Sequence, residues 1–181
     1  MGEIHFPRPV LRIMAAFSRY DDALDWARRT AETAWGPVAL MSAPFAFEET
    51  AFYVSSMGPG LKKVFFAFDE LADPGDLPNW KCLSNEWELL YSEQVRTPEP
   101  RPLNLDPGYL TEAKLVLATT KDRDHRLYLG QGIYAEGTLY YHRGAWTMRP
   151  WTYPDYQRQD YHDFFSRCRE FLRVKLRDVP R

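Results

Sequence analysis

The sequence predicts an α+β domain, with a ferredoxin-like β-α-β-β-α first half joined to an antiparallel β-meander and closed by a C-terminal helix. Three observations carry this reading. Apolar strand-like runs alternate with two amphipathic helical stretches before residue 96. From Lys114 to Met148 strand-forming segments follow one another with only turn signals between them. From Gln157 to Leu176 the apolar residues recur at helical spacing. The chain has 181 residues, the length of one domain or two intimately packed halves, and residues 1–181 are read as one.

Val10 to Phe17 (VLRIMAAF) is apolar enough for a buried strand. Asp21 is expected to cap a helix that runs to about Trp35, with Leu24, Ala27, Ala31 and Ala34 on one face and Gly36-Pro37 as the stop. Pro37 to Ala43 predicts a second strand, with Ala51 to Ser56 as its extension, and Met57 to Gly60 (MGPG) a turn. Lys62 to Phe68 (KKVFFAF) predicts a third strand and Asp73 to Pro78 a loop. Asn79 to Glu93 predicts a second helix, with Leu83, Trp87 and Leu90 facing inward. A strand in the following segment completes a split βαβ unit. Arg96 to Pro102 (RTPEPRP) is extended by its prolines and reads as an internal crossover, the alternative being a sub-domain junction. Asp106-Pro-Gly-Tyr109 reads as a tight turn with Pro and Gly at its central positions, Asp106 bonding its own backbone. The meander strands are Lys114–Thr120, Arg126–Leu129, Gly132–His142 and Ala145–Met148. The last helix carries Tyr161, Phe164, Phe165, Cys168, Phe171, Leu172 and Leu176 as its inner stripe, and Asp155 is expected at its N-cap.

Composition excludes several classes of function. The net charge of −2 gives no global reason to bind nucleic acid. No apolar run approaches a membrane span. The first residues lack a basic region followed by a clean apolar stretch, so no signal peptide is expected. Cys82 and Cys168 show no metal-type spacing and read as small apolar residues. Together these predict a protein of the reducing cytoplasm. No cofactor and no oligomeric state follow from the sequence.

The aromatic content is 15%, and much of it falls with ionisable groups between Asn104 and Tyr156. Charge within strongly strand-forming sequence is costly unless it is paired or used. Alternation along Gly132–His142 places Ile133, Ala135, Gly137, Leu139 and Tyr141 on one side, and Tyr134, Glu136, Thr138, Tyr140 and His142 on the other. If the neighbouring strand pairs with this one, Arg126 comes near Glu136. The plainer reading of that pair is a cross-strand ion pair. The functional reading is a carboxylate for acid/base work beside an anion anchor. Thr119 to Asp122 (TTKD), with His125 and Arg126 beyond, concentrates hydroxyls and cations at a strand end, which suits a phosphate or oxyanion, although a solvated hairpin is the commoner use of such a stretch. His125 is the histidine nearest other polar groups. No HxxxH or HExxH spacing exists, so no histidine metal site is predicted, while a carboxylate Mg²⁺ site from Asp106, Glu136 or Asp155 stays open. No GxxxxGK[ST] loop and no GxSxG elbow is present.

Four of these segments together resemble a bacterial family named domain of unknown function 4416. They are Asn104–Leu110 (NLDPGYL), Lys114–Asp122 (KLVLATTKD), His125–Leu139 (HRLYLGQGIYAEGTL) and Trp151–Tyr156 (WTYPDY). Weaker echoes are Thr50 with Tyr53, Met57-Gly58, and Lys81, Asn85 and Glu88. The chain departs from the family pattern at Ser56, where the family carries an acid, and at Gly137, where it carries a branched residue. The resemblance implies no activity. It does imply that these polar positions form a signature, and it raises the expectation of a pocket. Some members carry a GTP-binding label, which the absent phosphate loop does not support.

The functional expectation is recognition of a small anionic ligand, a phosphorylated metabolite or a nucleotide, in a pocket beside the meander. Lys114, Lys121, His125 and Arg126 are expected to hold the anion and Glu136 to act as acid/base, with His125 the second candidate for proton transfer. Tyr128, Tyr134 and Tyr153 are expected to position the ligand, and Asp106 and Asp155 to line the site. The rival expectations are a single-stranded RNA-binding sheet, disfavoured by charge and by the absence of an RNP-type run, and a protein-interaction module.

Overall fold

A computed structural model describes residues 2–50 and 52–179. Along the chain run β1 (Val10–Ser18), α1 (Asp21–Trp35), β2 (Val38–Met41), β3 (Phe45–Ala46), α2 (Val54–Met57), β4 (Lys62–Ala72), α3 (Leu77–Gln94), β5 (Asn104–Leu110), β6 (Lys114–Thr119), β7 (Leu127–Gly130), β8 (Ile133–His142), β9 (Ala145–Met148) and α4 (Gln159–Lys175). All the strands join one antiparallel sheet in the order β2-β4-β1-β5-β6-β8-β7, with β3 added to β4 and β9 to β8. The fold is α+β, and the sheet runs without a break through both halves of the chain.

Two apolar layers sandwich this sheet, which is why β1 and β4 read as near-continuous hydrophobic runs. On one side Leu24, Ala27, Ala31 and Trp35 of α1, with Trp80, Trp87 and Tyr91 of α3, pack on Met14, Ala16, Val64, Phe66 and Phe68. On the other side Tyr161, Phe164, Phe165, Cys168 and Leu172 of α4 pack on Ile13, Ala15, Phe65, Ala67, Leu115 and Leu117. Neighbouring residues in the middle of β1 and β4 go to opposite layers, as pleating requires. Burial raises the Cys168 thiol well above its ordinary range, in keeping with a small apolar core residue. Among the described residues no helix is long and apolar enough to cross a membrane.

Several expectations are corrected. Asp106-Pro-Gly-Tyr109 is not a turn; it is the middle of β5, paired residue by residue with β1 from Leu11↔Leu110 to Phe17↔Asn104. Sheet pairing on the β1 side overrides the local turn preference of Pro-Gly. Of Ala51–Ser56, Ala51 lies outside the described residues, and Val54–Met57 is a short helix rather than a strand. Asp21 does not cap α1: Tyr20 holds the cap position without a side-chain bond, and Asp21 stands in the first turn. There its carboxylate complements the helix dipole and accepts a bond from Lys62 Nζ at 2.6 Å. Leu90 is 42% exposed, because α3 turns its Trp80, Ser84, Trp87 and Tyr91 face inward instead. The strict alternation read along β8 also fails. Leu115 pairs with Leu139 but Val116 with Gly137, so Thr138 is an extra residue, a β-bulge. Ile133 and Ala135 therefore face the α1/α3 layer, whereas Leu139 and Tyr141 face α4.

Candidate functional site

The site begins with a division in the sheet. β5 and β6 pair only over Gly108↔Leu117, Tyr109↔Val116 and Leu110↔Leu115. Beyond that point β5 stays with β1 down to Asn104, while β6 stays with β8 as far as Thr119. The two halves of the sheet diverge, and a cavity of about 470 Å³ opens at that end. Local chemistry explains the split. Pro107 has no N–H to continue a ladder, and pairing with β6 stops one residue before it. Gly108 is required by proximity: a Cβ there would lie 2.3 Å from the Val116 carbonyl oxygen and 2.8 Å from Leu117 Cδ2.

Around the cavity stand aromatic walls from Phe17, Phe47, Phe52, Tyr53, Tyr153 and Tyr156. Six cationic side chains (Lys63, Lys81, Arg101, Lys121, Arg123, Arg126) and four acidic ones (Glu49, Asp106, Glu136, Asp155) also line it. Every one of the acids is engaged. Glu49 pairs with Arg158 at 2.7 Å, Asp106 with Lys81 at 3.1 Å and Glu136 with Arg126 at 2.8 Å, and Asp155 pairs closely with Lys63. Among the described residues Lys121 and Arg123 make no ion pair, and Lys121 Nζ lies 4.6 Å from the Phe52 ring centroid. The surplus of charge is thus positive and sits at the exposed rim, since both residues are exposed.

One wall is built from α3 and β5. Lys81 is buried, and its Nζ donates to the Leu105 carbonyl at 2.7 Å as well as to Asp106. Asn104 donates to Asp106 Oδ2 at 2.7 Å and accepts from Arg101, which also donates to Glu88 at 2.8 Å. Burial pushes the Asp106 carboxyl up, but Lys81, Lys63 and the bonds from Lys81 and Asn104 outweigh it and hold it below the usual carboxylate range. Burial raises Glu88, against the pull of Lys81 and Arg101. Asn85 of α3 also lines the cavity, and its side chain makes no hydrogen bond among the described residues.

The opposite wall is the meander. Glu136 is buried on β8, on the α4 side of the sheet opposite Leu117. Its Oε2 accepts from Arg126 Nε, and Thr138 Oγ1 stands 3.4 Å from Oε1. Arg126 is itself committed: Nη1 donates to the Lys121 carbonyl at 2.9 Å and Nη2 to the Tyr153 hydroxyl at 2.5 Å. It therefore ties the Lys121–Arg123 turn and Tyr153 to Glu136. His125 lies behind, with Nε2 3.4 Å from Glu136 Oε2 and its ring stacked on Trp151 at 5.0 Å. Burial, together with the Glu136 charge, pushes the Tyr153 phenol up to about 12, so it stays protonated at neutral pH.

At the closed end Lys63 and Asp155 are both 4% exposed. Lys63 Nζ is 3.9 Å from the Phe47 ring centroid, 4.9 Å from Phe17 and 5.2 Å from Tyr156. Aromatic faces thus complete the shell of a buried ammonium whose charge is met by one carboxylate. Asp155 is accordingly not the cap of α4, a position held by Arg158 without a side-chain bond.

The structure brings Asp106, Lys121, Arg126, Glu136, Tyr153 and Asp155 to one cavity, with His125 touching Glu136 from behind. Three expected residues stand elsewhere. Lys114 is at the far end of β6, and Tyr128 and Tyr134 pack against each other at the β7 edge, their rings tilted with centroids 5.3 Å apart, away from the lining. Sequence reasoning missed Lys63 and Arg101 altogether, and it met Lys81, Asn85 and Asn104 only within the family resemblance, without naming them as site residues. The signal for Lys63 was a charge inside KKVFFAF, and for Lys81 a charge on the inner face of a tryptophan-rich helix. Among the described residues no group of three or more His, Cys, Asp or Glu side chains is arranged to hold a metal ion. Residues 8–171 match the family model described as Domain of unknown function (DUF4416). No curated protein matches the chain, and no solved structure does.

Proposed function

The chain belongs to the DUF4416 family, and we propose that it binds a small anionic ligand, a phosphorylated metabolite or nucleotide, in the cavity between the diverging halves of its sheet. The observation that supports this reading is the charge balance of the lining. All four carboxylates are neutralised by cations, while Lys121 and Arg123 at the rim make no ion pair among the described residues. An unneutralised cationic rim over aromatic walls suits a ligand with an anionic group and a ring or sugar face. In this reading Arg126 positions the rim turn and Glu136 rather than meeting the anion itself. In the same reading Glu136, with His125 behind it, exchanges a proton with the bound ligand.

Thermal unfolding against a panel of inorganic phosphate, nucleotides, sugar phosphates, divalent cations and short single-stranded RNAs tests this. A ligand present at about 100 times its dissociation constant adds about 2.7 kcal/mol, an easily read shift. The expected result is stabilisation of the wild type by a small phosphorylated anion and none of the Lys121→Glu variant by the same compound. Stabilisation by RNA alone contradicts the reading in favour of a nucleic-acid module. No shift with any compound, together with self-association that grows with concentration, contradicts it in favour of an interaction module.

A further inference from the structure

The two ends of the cavity differ in kind. At the rim stand the cations Lys121 and Arg123, both exposed. At the closed end the charges cancel in pairs, Lys63 with Asp155 and Lys81 with Asp106. A second anionic group pushed there would meet two carboxylates and would have to compete for lysines already bonded to them. Uncharged polar groups fare differently. Asn85 lines the cavity, and its side chain makes no hydrogen bond among the described residues, so its amide has two donors and an acceptor to offer. The Tyr53 hydroxyl is kept protonated, first by burial and then by the Asp106 charge, and so offers a proton.

Resting on the anion-binding reading above, we infer that the ligand enters with a defined polarity. It is a phosphomonoester, bound with its phosphoryl group on Lys121 and Arg123 and an uncharged hydroxyl- or amide-bearing body turned inward to Asn85. The inward body packs its apolar faces on the aromatic walls, and its polar edge replaces water at Asn85. Asn85 is then a specificity-determining residue, because an apolar replacement leaves the ligand's buried polar edge unmatched. The arrangement selects against compounds phosphorylated at both ends.

Calorimetric titration with ribose 5-phosphate, uridine 5′-monophosphate, their unphosphorylated parents ribose and uridine, inorganic phosphate and fructose 1,6-bisphosphate tests the inference. Ribose 5-phosphate and uridine monophosphate distinguish a sugar phosphate from a nucleotide carrying the same phosphomonoester. The expected result is that one of these two binds at least tenfold tighter than inorganic phosphate, its own parent and the bisphosphate. The combined Lys121→Ala and Arg123→Ala change is expected to remove most of that advantage. Asn85→Leu is expected to weaken the phosphomonoester about tenfold or more while leaving inorganic phosphate unchanged. If the bisphosphate binds tightest, or if phosphomonoester affinity survives either set of changes, the polarity is wrong although the cavity still binds anions. If none of the anions binds the wild type, both the polarity and the anion-binding reading fall together.

Discussion

Lys63 is a lysine in the most demanding place a lysine can occupy, at the closed end of an aromatic cavity with one carboxylate for a partner. Removing one member of a buried pair leaves the other uncompensated, at a cost of roughly 3–5 kcal/mol, whereas replacing both by apolar residues of similar volume is often neutral. Asp155→Asn should therefore lower the stability measured by urea unfolding by that order, and Lys63→Met combined with Asp155→Leu should recover most of it. Recovery that fails in the double variant would show that the pair has a role beyond mutual neutralisation. Asp106 gives a pH-dependent counterpart. Its folded carboxyl is held below its ordinary range, so the unfolded chain takes up the proton first as pH falls. Its contribution is fully present above the ordinary Asp value of about 3.9 and is lost as pH falls through the lower folded value. Urea midpoints measured from pH 6 down to 3 should fall more steeply in the wild type than in Asp106→Asn; equal slopes would contradict the assignment.

Among the elements, β5 sets the site. Its Asn104 and Asp106 look into the cavity, Pro107 ends the pairing with β6, and Gly108 lets β6 lie against it. Gly108→Ala puts a methyl group 2.3 Å from the Val116 carbonyl, a backbone atom that cannot swing aside. A loss of about 1–3 kcal/mol or more is expected by urea unfolding, since overpacking against a fixed neighbour is costly. An unchanged midpoint would show that β5 and β6 are further apart than described. The same element shows where the sequence could not be read. NLDPGYL carries strong turn residues, and pairing along its whole length with β1, nearly a hundred residues away in the chain, makes it a strand. The β8 bulge hid in the same way, because an extra residue leaves no mark in an alternation counted along one strand. By contrast α1, α4, β1, β4 and the meander strands follow from local periodicity alone, and they lie close to where it puts them.

Across the whole molecule, the sheet joins two halves that the proline-rich segment before Leu103 connects, and the cavity lies where those halves part. That placement explains which site residues were legible. Lys121, Arg126, Glu136 and Tyr153 lie within one meander, where strand order and charge placement bring them together on paper. Lys63, Lys81, Asn85 and Asn104 come from a distant strand, a helix on the opposite face and the end of β5 that stays with β1, and only the three-dimensional split gathers them. Of the weaker echoes, Thr50, Tyr53, Lys81 and Asn85 are cavity positions, Glu88 holds the Leu105 amide and Arg101 just behind them, and Met57-Gly58 does not line the cavity, Met57 packing in the core with Phe17 and Phe47. The most direct test of the central claim is a crystal structure grown with the phosphorylated compound that stabilises the protein most. The account predicts density for the compound in the cleft between β5 and β6, with its phosphoryl oxygens within hydrogen-bonding distance of Lys121 and Arg123. Density for it anywhere else on the molecule, with the cleft filled by water, would contradict it.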